Sequence, residues 1–122
     1  MEPVQFGAIG ARVRLTPDRR RVARLTLAGG DGNLVTTDLL HALDRALDAL
    51  ADWPDLAIVR IEAEGDDFCA GFSPSEKVPP HRDVLLPAWH AALRKLSSLD
   101  AIVVVSMKGR CLGPALDLLA LS

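Results

Sequence analysis

Residues 68–72, Phe-Cys-Ala-Gly-Phe, follow a buried-strand pattern and decide the fold. The run before them, residues 56–61 (LAIVRI), is mostly apolar, as is typical of a strand buried in a parallel sheet. A polar turn at residues 62–67 separates this strand from the five-residue segment. Prolines at positions 74, 79 and 80 then predict a loop. The chain therefore contains a buried strand that leads into an irregular segment.

A second strand and turn of the same kind follow further along the chain. Residues 101–107 (AIVVVSM) form another buried-strand pattern, and residues 108–113 (KGRCLG) form a turn whose charges, Lys108 and Arg110, we expect to face solvent. Residues 114–121 predict a strongly apolar helix with a proline at its first position. A helix that is apolar all round is covered by something larger, so we expect further chain or another subunit against it.

The stretch before these strands predicts a hairpin. Residues 11–15 and 22–27 alternate polar and apolar side chains, and residues 16–18 (TPD) have turn chemistry. Six arginines fall between Arg12 and Arg24. We interpret them as the solvated face of the hairpin, with an anion-binding patch as the alternative.

Two helices complete the pattern. Thr36 or Thr37 is the expected N-cap of a helix whose apolar stripe covers residues 39–50. A second helix is predicted over about residues 87–97, because a proline is tolerated only near the first turn. Its apolar face carries Trp89, Leu93 and Leu96. The order hairpin, helix, strand, helix, strand, helix predicts an α/β domain with right-handed crossovers.

Composition excludes several classes of protein. The 122 residues suit one domain, residues 1–122, with 49% hydrophobic and 25% charged side chains, as in soluble globular proteins. A net charge of −2 argues against a general nucleic-acid binder, and no apolar run approaches the about 18 residues that span a bilayer. The first four residues show no secretory signal, and two cysteines form neither a disulfide framework nor a zinc site. We expect a cytoplasmic protein without a metal.

The two loops resemble the signature loops of the crotonase (enoyl-CoA hydratase/isomerase) superfamily. The family pattern is roughly F-C-A-G-x-D and, after a strand, N-G-x-x-x-G-G-G-x-E-L-A, which residues 68–73 and 108–119 follow in part. Leu25-Thr26-Leu27, a loop and Asn33 before a helix match the family's L-T-L-x-R-P-x-x-N-A opening. The resemblance covers about residues 11–122. It implies the N-terminal portion of a crotonase-like ββα spiral, without the C-terminal helices.

The resemblance implies an acyl-CoA thioester as the ligand and an oxyanion hole as the chemistry. In the family, one backbone N–H from each loop donates to the thioester oxygen. By position the first donor is Phe72, preceded by Ala70 and Gly71, whose small size allows close approach to substrate. The second donor falls at Pro114, which has no N–H. A one-residue shift would let Gly113 or Ala115 donate instead.

Further matched positions depart from the family pattern. Asp117 takes the place of the family's acid/base glutamate, although an acidic residue in a first helical turn is favourable in any case. Ser73 replaces the usual aspartate, and Gly29 replaces a basic residue that helps to hold the CoA phosphate in the family; the candidates to substitute for that basic residue are Arg20, Arg21 and Arg24. We interpret the two cysteines, Cys69 and Cys111, as packing residues rather than nucleophiles.

Three functions remain open. The first is a crotonase-type enzyme that acts on an acyl-CoA or acyl-carrier thioester, with Asp117 moving protons and no other cofactor. The second is a non-catalytic crotonase-like subunit or pseudoenzyme that completes a partner chain, which Pro114 favours. The third is a structural interaction module, suggested only by the apolar last helix. We expect a homo-oligomer, or a hetero-oligomer with another crotonase-like chain, and neither nucleic acid nor membrane as a partner.

Overall fold

The computed structural model describes residues 7–9, 13–30 and 32–122, which form five strands, three helices and one short 3₁₀ turn at Pro74–Glu76. The strands are β1 (Gly7–Ile9), β2 (Val13–Arg19), β3 (Val22–Leu27), β4 (Ile58–Ala63) and β5 (Ile102–Val105). The helices are α1 (Thr37–Ala51), α2 (His81–Ser97) and α3 (Pro114–Leu121).

The five strands form a single mixed sheet in the order β1-β2-β3-β4-β5. β1, β2 and β3 pair antiparallel, and β3, β4 and β5 pair parallel, with α1 and α2 as the connections between parallel neighbours. The α/β class predicted from the sequence is confirmed. Because β3, β4 and β5 run in the same direction, the loops that follow them meet at one edge of the sheet.

The core lies between one face of the sheet and the helices α1 and α2. Leu15, Leu25 and Ile61 of the sheet are fully or almost fully buried, as is the leucine stripe of α1. The side chain of Thr36 caps α1, since its Oγ1 accepts from the Leu39 N–H at 3.1 Å. This hydrogen bond decides between the two predicted caps in favour of Thr36.

Two arginines of the hairpin, Arg14 and Arg24, are paired with carboxylates. Arg24 contacts Asp18 at 3.3 Å and Glu62 at 3.0 Å, and Arg14 pairs with Glu64. Arg60 contacts Asp18 at 2.7 Å, and this hydrogen bond holds the pKa of Asp18 below its usual value. The pairing favours a solvated charged face over an anion-binding patch; Arg12 lies outside the described residues.

The predicted turn at residues 16–18 is wrong, because these residues lie within β2. Pro17 pairs with Ala23, and the strand register shifts between Pro17 and Arg19, so the turn falls at residues 20–21. A bulge accommodates a residue that lacks an N–H, which explains how the proline stays in the strand. Residues 11 and 12 of the predicted hairpin lie outside the described residues.

The second helix starts earlier than predicted. α2 begins at His81, so Pro87 lies inside it and not in its first turn. Pro87 has no N–H to donate to the carbonyl of Asp83, four residues earlier in the helix. Both residues are exposed, so water can reach that carbonyl instead. β4 and β5 also shift or shorten by one to two residues relative to the sequence patterns, whereas the bounds of α3 are as predicted. Among the described residues, no helix has both the length and the hydropathy to cross a bilayer.

Candidate functional site

The loop after β3 is tied to the loop after β4 by Asn33. Its side chain is 1% exposed, and its Oδ1 accepts from the Gly29 N–H at 2.7 Å. Its Nδ2 donates to the carbonyls of Glu64 and Asp67, both at 3.1 Å. The backbone of Asn33 is left-handed, with φ of 53°, a conformation that asparagine tolerates better than most residues. Asp31 of this loop lies outside the described residues.

The first signature loop is held along the segment that leads to α1. The Val35 N–H donates to the Gly71 carbonyl and the Ser73 N–H donates to the Val35 carbonyl, both at 2.9 Å. Phe72 lies between these two bonds as the bridge partner of Val35. Because backbone groups alternate in direction along an extended segment, the Phe72 N–H is turned away from Val35. It has no acceptor in the part of the chain that the structure describes.

Gly71 enables this arrangement, because its φ of +115° is accessible to glycine and strained for other residues. A Cβ built on Gly71 would lie 4.0 Å from the Cβ of Leu112, so the two signature loops are in contact at this point.

The second signature loop runs parallel to the first. Cys69 and Cys111 are bridge partners: the Cys69 N–H donates to the Arg110 carbonyl at 3.1 Å, and the Leu112 N–H donates to the Cys69 carbonyl at 3.0 Å. Cys69 is 2% exposed, and burial raises the pKa of its thiol. A buried thiol of raised pKa fits a packing residue better than a nucleophile.

An aspartate–arginine pair, which the sequence did not predict, clamps the two loops. The Arg110 N–H donates to Asp67 Oδ1 at 2.8 Å, and the Arg110 guanidinium donates to Oδ2 through Nε at 3.1 Å and Nη2 at 2.9 Å. The guanidinium lowers the pKa of Asp67, and the carboxylate raises the pKa of Arg110. Arg110 and Lys108 are both exposed, as expected of turn charges that face solvent, but the pairing of Arg110 with Asp67 was not predicted.

Gly109 permits the clamp. Its φ is +57°, and a Cβ at this position would lie 2.0 Å from the carbonyl oxygen of Asp66 and 2.6 Å from Asp67 Oδ1. Only a residue without a side chain fits between these atoms.

The start of α3 carries the second position of the predicted oxyanion hole. Pro114 is the first residue of the helix and has no N–H. Ala115 is one of the two residues predicted to donate in place of Pro114. Its N–H already donates to the Leu112 carbonyl at 3.1 Å, so it is not available to a substrate. The other substitute, Gly113, has φ of 51°, and no group within the described ranges accepts from its N–H.

Asp117 is held by a tryptophan of α2. Trp89 Nε1 donates to Asp117 Oδ2 at 2.9 Å, and the Trp89 ring meets the Phe72 ring edge-on, with centroids 6.1 Å apart and an interplanar angle of 90°. Trp89 is buried, as its apolar stripe predicts, but the sequence did not indicate its contacts with Phe72 and Asp117. The structure thus connects the first signature loop with the carboxylate of α3 through one side chain.

The remaining predicted residues lie apart from this arrangement. Arg20 and Arg21 precede β3, whereas the site loops follow the opposite ends of the parallel strands, and Arg24 is engaged with carboxylates. This placement does not support any of the three as the replacement for the basic residue at position 29. On α3, Leu116 and Leu119 are 56% and 50% exposed, as the apolar pattern of this helix implied.

Comparisons with known proteins agree with the resemblance. No family model matches the chain. The chain is 31% identical over 97 residues to a cyclohexa-1,5-dienecarbonyl-CoA hydratase from Thauera aromatica, a match covering 80% of this chain and 38% of that protein. The chain therefore spans well under half the length of this curated relative.

Solved structures show the same fold. An enoyl-CoA hydratase from Bacillus anthracis superposes with a TM-score of 0.80 at 18% identity, over 88% of this chain and 43% of that one. An enoyl-CoA hydratase/isomerase from Xanthobacter autotrophicus superposes with a TM-score of 0.77 at 19% identity, over 89% and 43%. Signature loops, curated relative and fold agree that the chain resembles the N-terminal portion of proteins of the crotonase (enoyl-CoA hydratase/isomerase) superfamily.

Proposed function

We propose that this chain binds an acyl-CoA, or another acyl thioester, with the thioester carbonyl placed at the Phe72 N–H. One observation carries the proposal. This N–H is turned away from Val35, has no acceptor in the described part of the chain, and belongs to a loop held against the second signature loop. A preorganised donor without a partner is what an oxyanion site requires.

The proposed chemistry is of the hydratase/isomerase type, with a weakened oxyanion hole. The Phe72 N–H supplies one donor, Pro114 supplies none, and the Gly113 N–H is the remaining candidate in the second loop. The loss of one donor from such a hole typically lowers the rate by about 10²–10³-fold. Ala70 and Gly71 line the approach of the substrate, and no cofactor is required beyond the coenzyme A of the substrate itself.

Asp117 is the proposed proton carrier. A carboxylate at this position takes a proton from the carbon next to the thioester carbonyl, and the electron pair moves into the enolate oxygen at the Phe72 N–H. With a β,γ-unsaturated thioester, Asp117 returns the proton to the γ carbon of the resulting dienolate, the thioester carbonyl re-forms, and the double bond has moved to the α,β position. A cytoplasmic location belongs to the same proposal and is supported by the two unpaired thiols, Cys69 and Cys111.

Calorimetric titration of the purified chain with crotonyl-CoA tests the proposal. We expect saturable binding by the wild-type chain, and a Pro114→Gly variant with higher turnover, because glycine restores an N–H at that position. Pro54→Gly is the matched control, since this exposed proline lies beyond α1 and away from both loops. A folded wild-type chain that shows no saturable binding would contradict the proposal.

The alternative function is a non-catalytic subunit that completes a crotonase-like partner chain. Two observations favour it: Pro114 removes a donor, and the apolar side chains Ile102, Leu112, Leu116 and Leu119 are all at least half exposed. Sedimentation of the chain, alone and mixed with a crotonase-like chain, distinguishes the two functions. A mixed complex, together with no binding of crotonyl-CoA by either the wild type or Pro114→Gly, would favour the partner role.

A further inference from the structure

Trp89 lies where the two halves of the candidate site meet. It belongs to α2, outside both signature loops, and only 2% of it is exposed. From this buried position it contacts Phe72 of the first loop through its ring and Asp117 of α3 through its indole nitrogen. The residue is therefore placed to couple the position of the first loop to that of Asp117 on α3.

The indole hydrogen bond makes the two oxygens of Asp117 unequal. Trp89 has one polar hydrogen, and it is given to Oδ2 at 2.9 Å. In the described part of the chain no group donates to Oδ1. An indole donor cannot accept a proton in exchange, so Oδ2 is held as an acceptor and Oδ1 remains the oxygen that can take a proton.

The contact between the Trp89 and Phe72 rings orients Phe72. The edge-on packing of Phe72 on Trp89, with centroids 6.1 Å apart, is a favourable geometry for two aromatic rings. Because the Phe72 backbone is also held through the bonds on either side of it to Val35, its N–H has little freedom of direction. The donor of the first loop and the carboxylate of α3 are thus oriented by the same side chain.

We infer that Trp89 is the positioning residue of this site: it holds Asp117 through Oδ2, presents Oδ1 for proton transfer, and fixes Phe72 as the donor to the thioester oxygen. The inference rests on the proposed function. It assigns to α2 a role that the signature loops alone do not contain.

Exchange of the hydrogen next to the carbonyl of butyryl-CoA with solvent deuterium isolates the step concerned. In D₂O, Asp117 Oδ1 takes the proton from that carbon and the electron pair moves to the enolate oxygen. The carboxyl proton then exchanges with D₂O, and a deuteron returns to the carbon as the thioester carbonyl re-forms. Mass spectrometry then detects the labelled thioester. Trp89→Phe keeps an aromatic ring against Phe72 and removes the indole donor, while Trp53→Phe, at the far end of α1, is the matched control.

We expect Trp89→Phe to lower kcat for exchange by about tenfold to 100-fold with little change in KM, because a hydrogen bond to a charged group is lost. Trp53→Phe should exchange at the wild-type rate. Equal rates in the two variants, or an effect of Trp89→Phe on KM alone, would overturn the inference.

Two variants of Asp117 keep the inference testable if Trp89→Phe does not fold. Asp117→Asn retains an oxygen for the indole but is no base, whereas Asp117→Leu retains neither. In a Trp53→Phe background the indole N–H resonance of Trp89 should remain near its wild-type position in Asp117→Asn and shift in Asp117→Leu. An unchanged resonance in Asp117→Leu would overturn the inference.

The same resonance separates this inference from the proposed function. If the wild-type chain neither binds nor exchanges butyryl-CoA, the proposed function fails. A shifted resonance in Asp117→Leu would then still support the Trp89–Asp117 contact on which the inference depends.

Discussion

Replacing Asn33 by alanine should destabilise the chain strongly, because this side chain joins two loops from a buried position. The substitution removes three hydrogen bonds, to the N–H of Gly29 and to the carbonyls of Glu64 and Asp67. Each contributes about 0.5–1.5 kcal/mol net to stability. Alanine at φ of 53° costs about 1 kcal/mol more, since the left-handed region is unfavourable for it. The sum is about 3–5 kcal/mol.

Thermal and urea unfolding measure this loss. For a domain of this size about 3 kcal/mol corresponds to a fall in Tm of about 10 °C. Asn33→Gly separates the two contributions, because it loses the same hydrogen bonds but not the backbone preference, and it should be less destabilised than Asn33→Ala. Asp55→Ala is the matched control for the backbone alone, since Asp55 is exposed and has φ of 58°. If Asn33→Ala lost no more stability than Asp55→Ala, the reasoning from the buried hydrogen bonds would be wrong.

Three further changes test other contacts of the site. Gly109→Ala should lower the Tm and weaken crotonyl-CoA binding, because the added Cβ overlaps the preceding loop; an unchanged Tm would contradict the fit of the two loops. The pKa of Asp67 is lowered below its usual value of 3.8 by Arg110, so the stability that the pair contributes is present above about pH 4 and lost as the pH falls through the lower folded value. Urea unfolding should therefore show a larger difference between wild type and Asp67→Asn at pH 6 than at pH 2.5, and an equal difference would refute the ion pair. Leu116→Gln together with Leu119→Gln should reduce self-association in sedimentation runs, and unchanged association would place the interface elsewhere.

Local patterns predicted the elements that depend on local chemistry. The apolar run before Phe68, the stripe of α1 and the proline that begins α3 each specify their element through neighbours in sequence. Pro17 and Pro87 were misplaced for the opposite reason. Whether a strand or helix tolerates a proline depends on a bulge in the pairing or on water at a carbonyl, and neither is encoded next to the proline.

The contacts that build the site are long-range and could not be predicted from spacing. Asp67 and Arg110 are 43 residues apart, and Trp89 and Asp117 are 28 apart. The acidic turn before Phe68 and the arginine of the second loop are visible in the sequence, but each is also typical of a solvated turn. Only the parallel alignment of the two loops makes them partners. The family resemblance predicted that the two loops lie together, but it did not predict the side-chain pairs that hold them there.

Position 114 has two roles in the crotonase pattern: it lies at the start of α3, and its N–H donates to the substrate oxygen. A proline suits the first turn of α3, where its fixed φ favours the helix, but it cannot donate to a developing oxyanion. The groups that hold the loops in place, among them Asn33, Gly71 and Gly109, do not depend on that donor. A neutral thioester carbonyl needs less charge stabilisation than the enolate formed from it. If the proposed function is correct, this chain should retain thioester affinity better than it retains turnover, and Pro114→Gly should raise kcat by a larger factor than it lowers Kd.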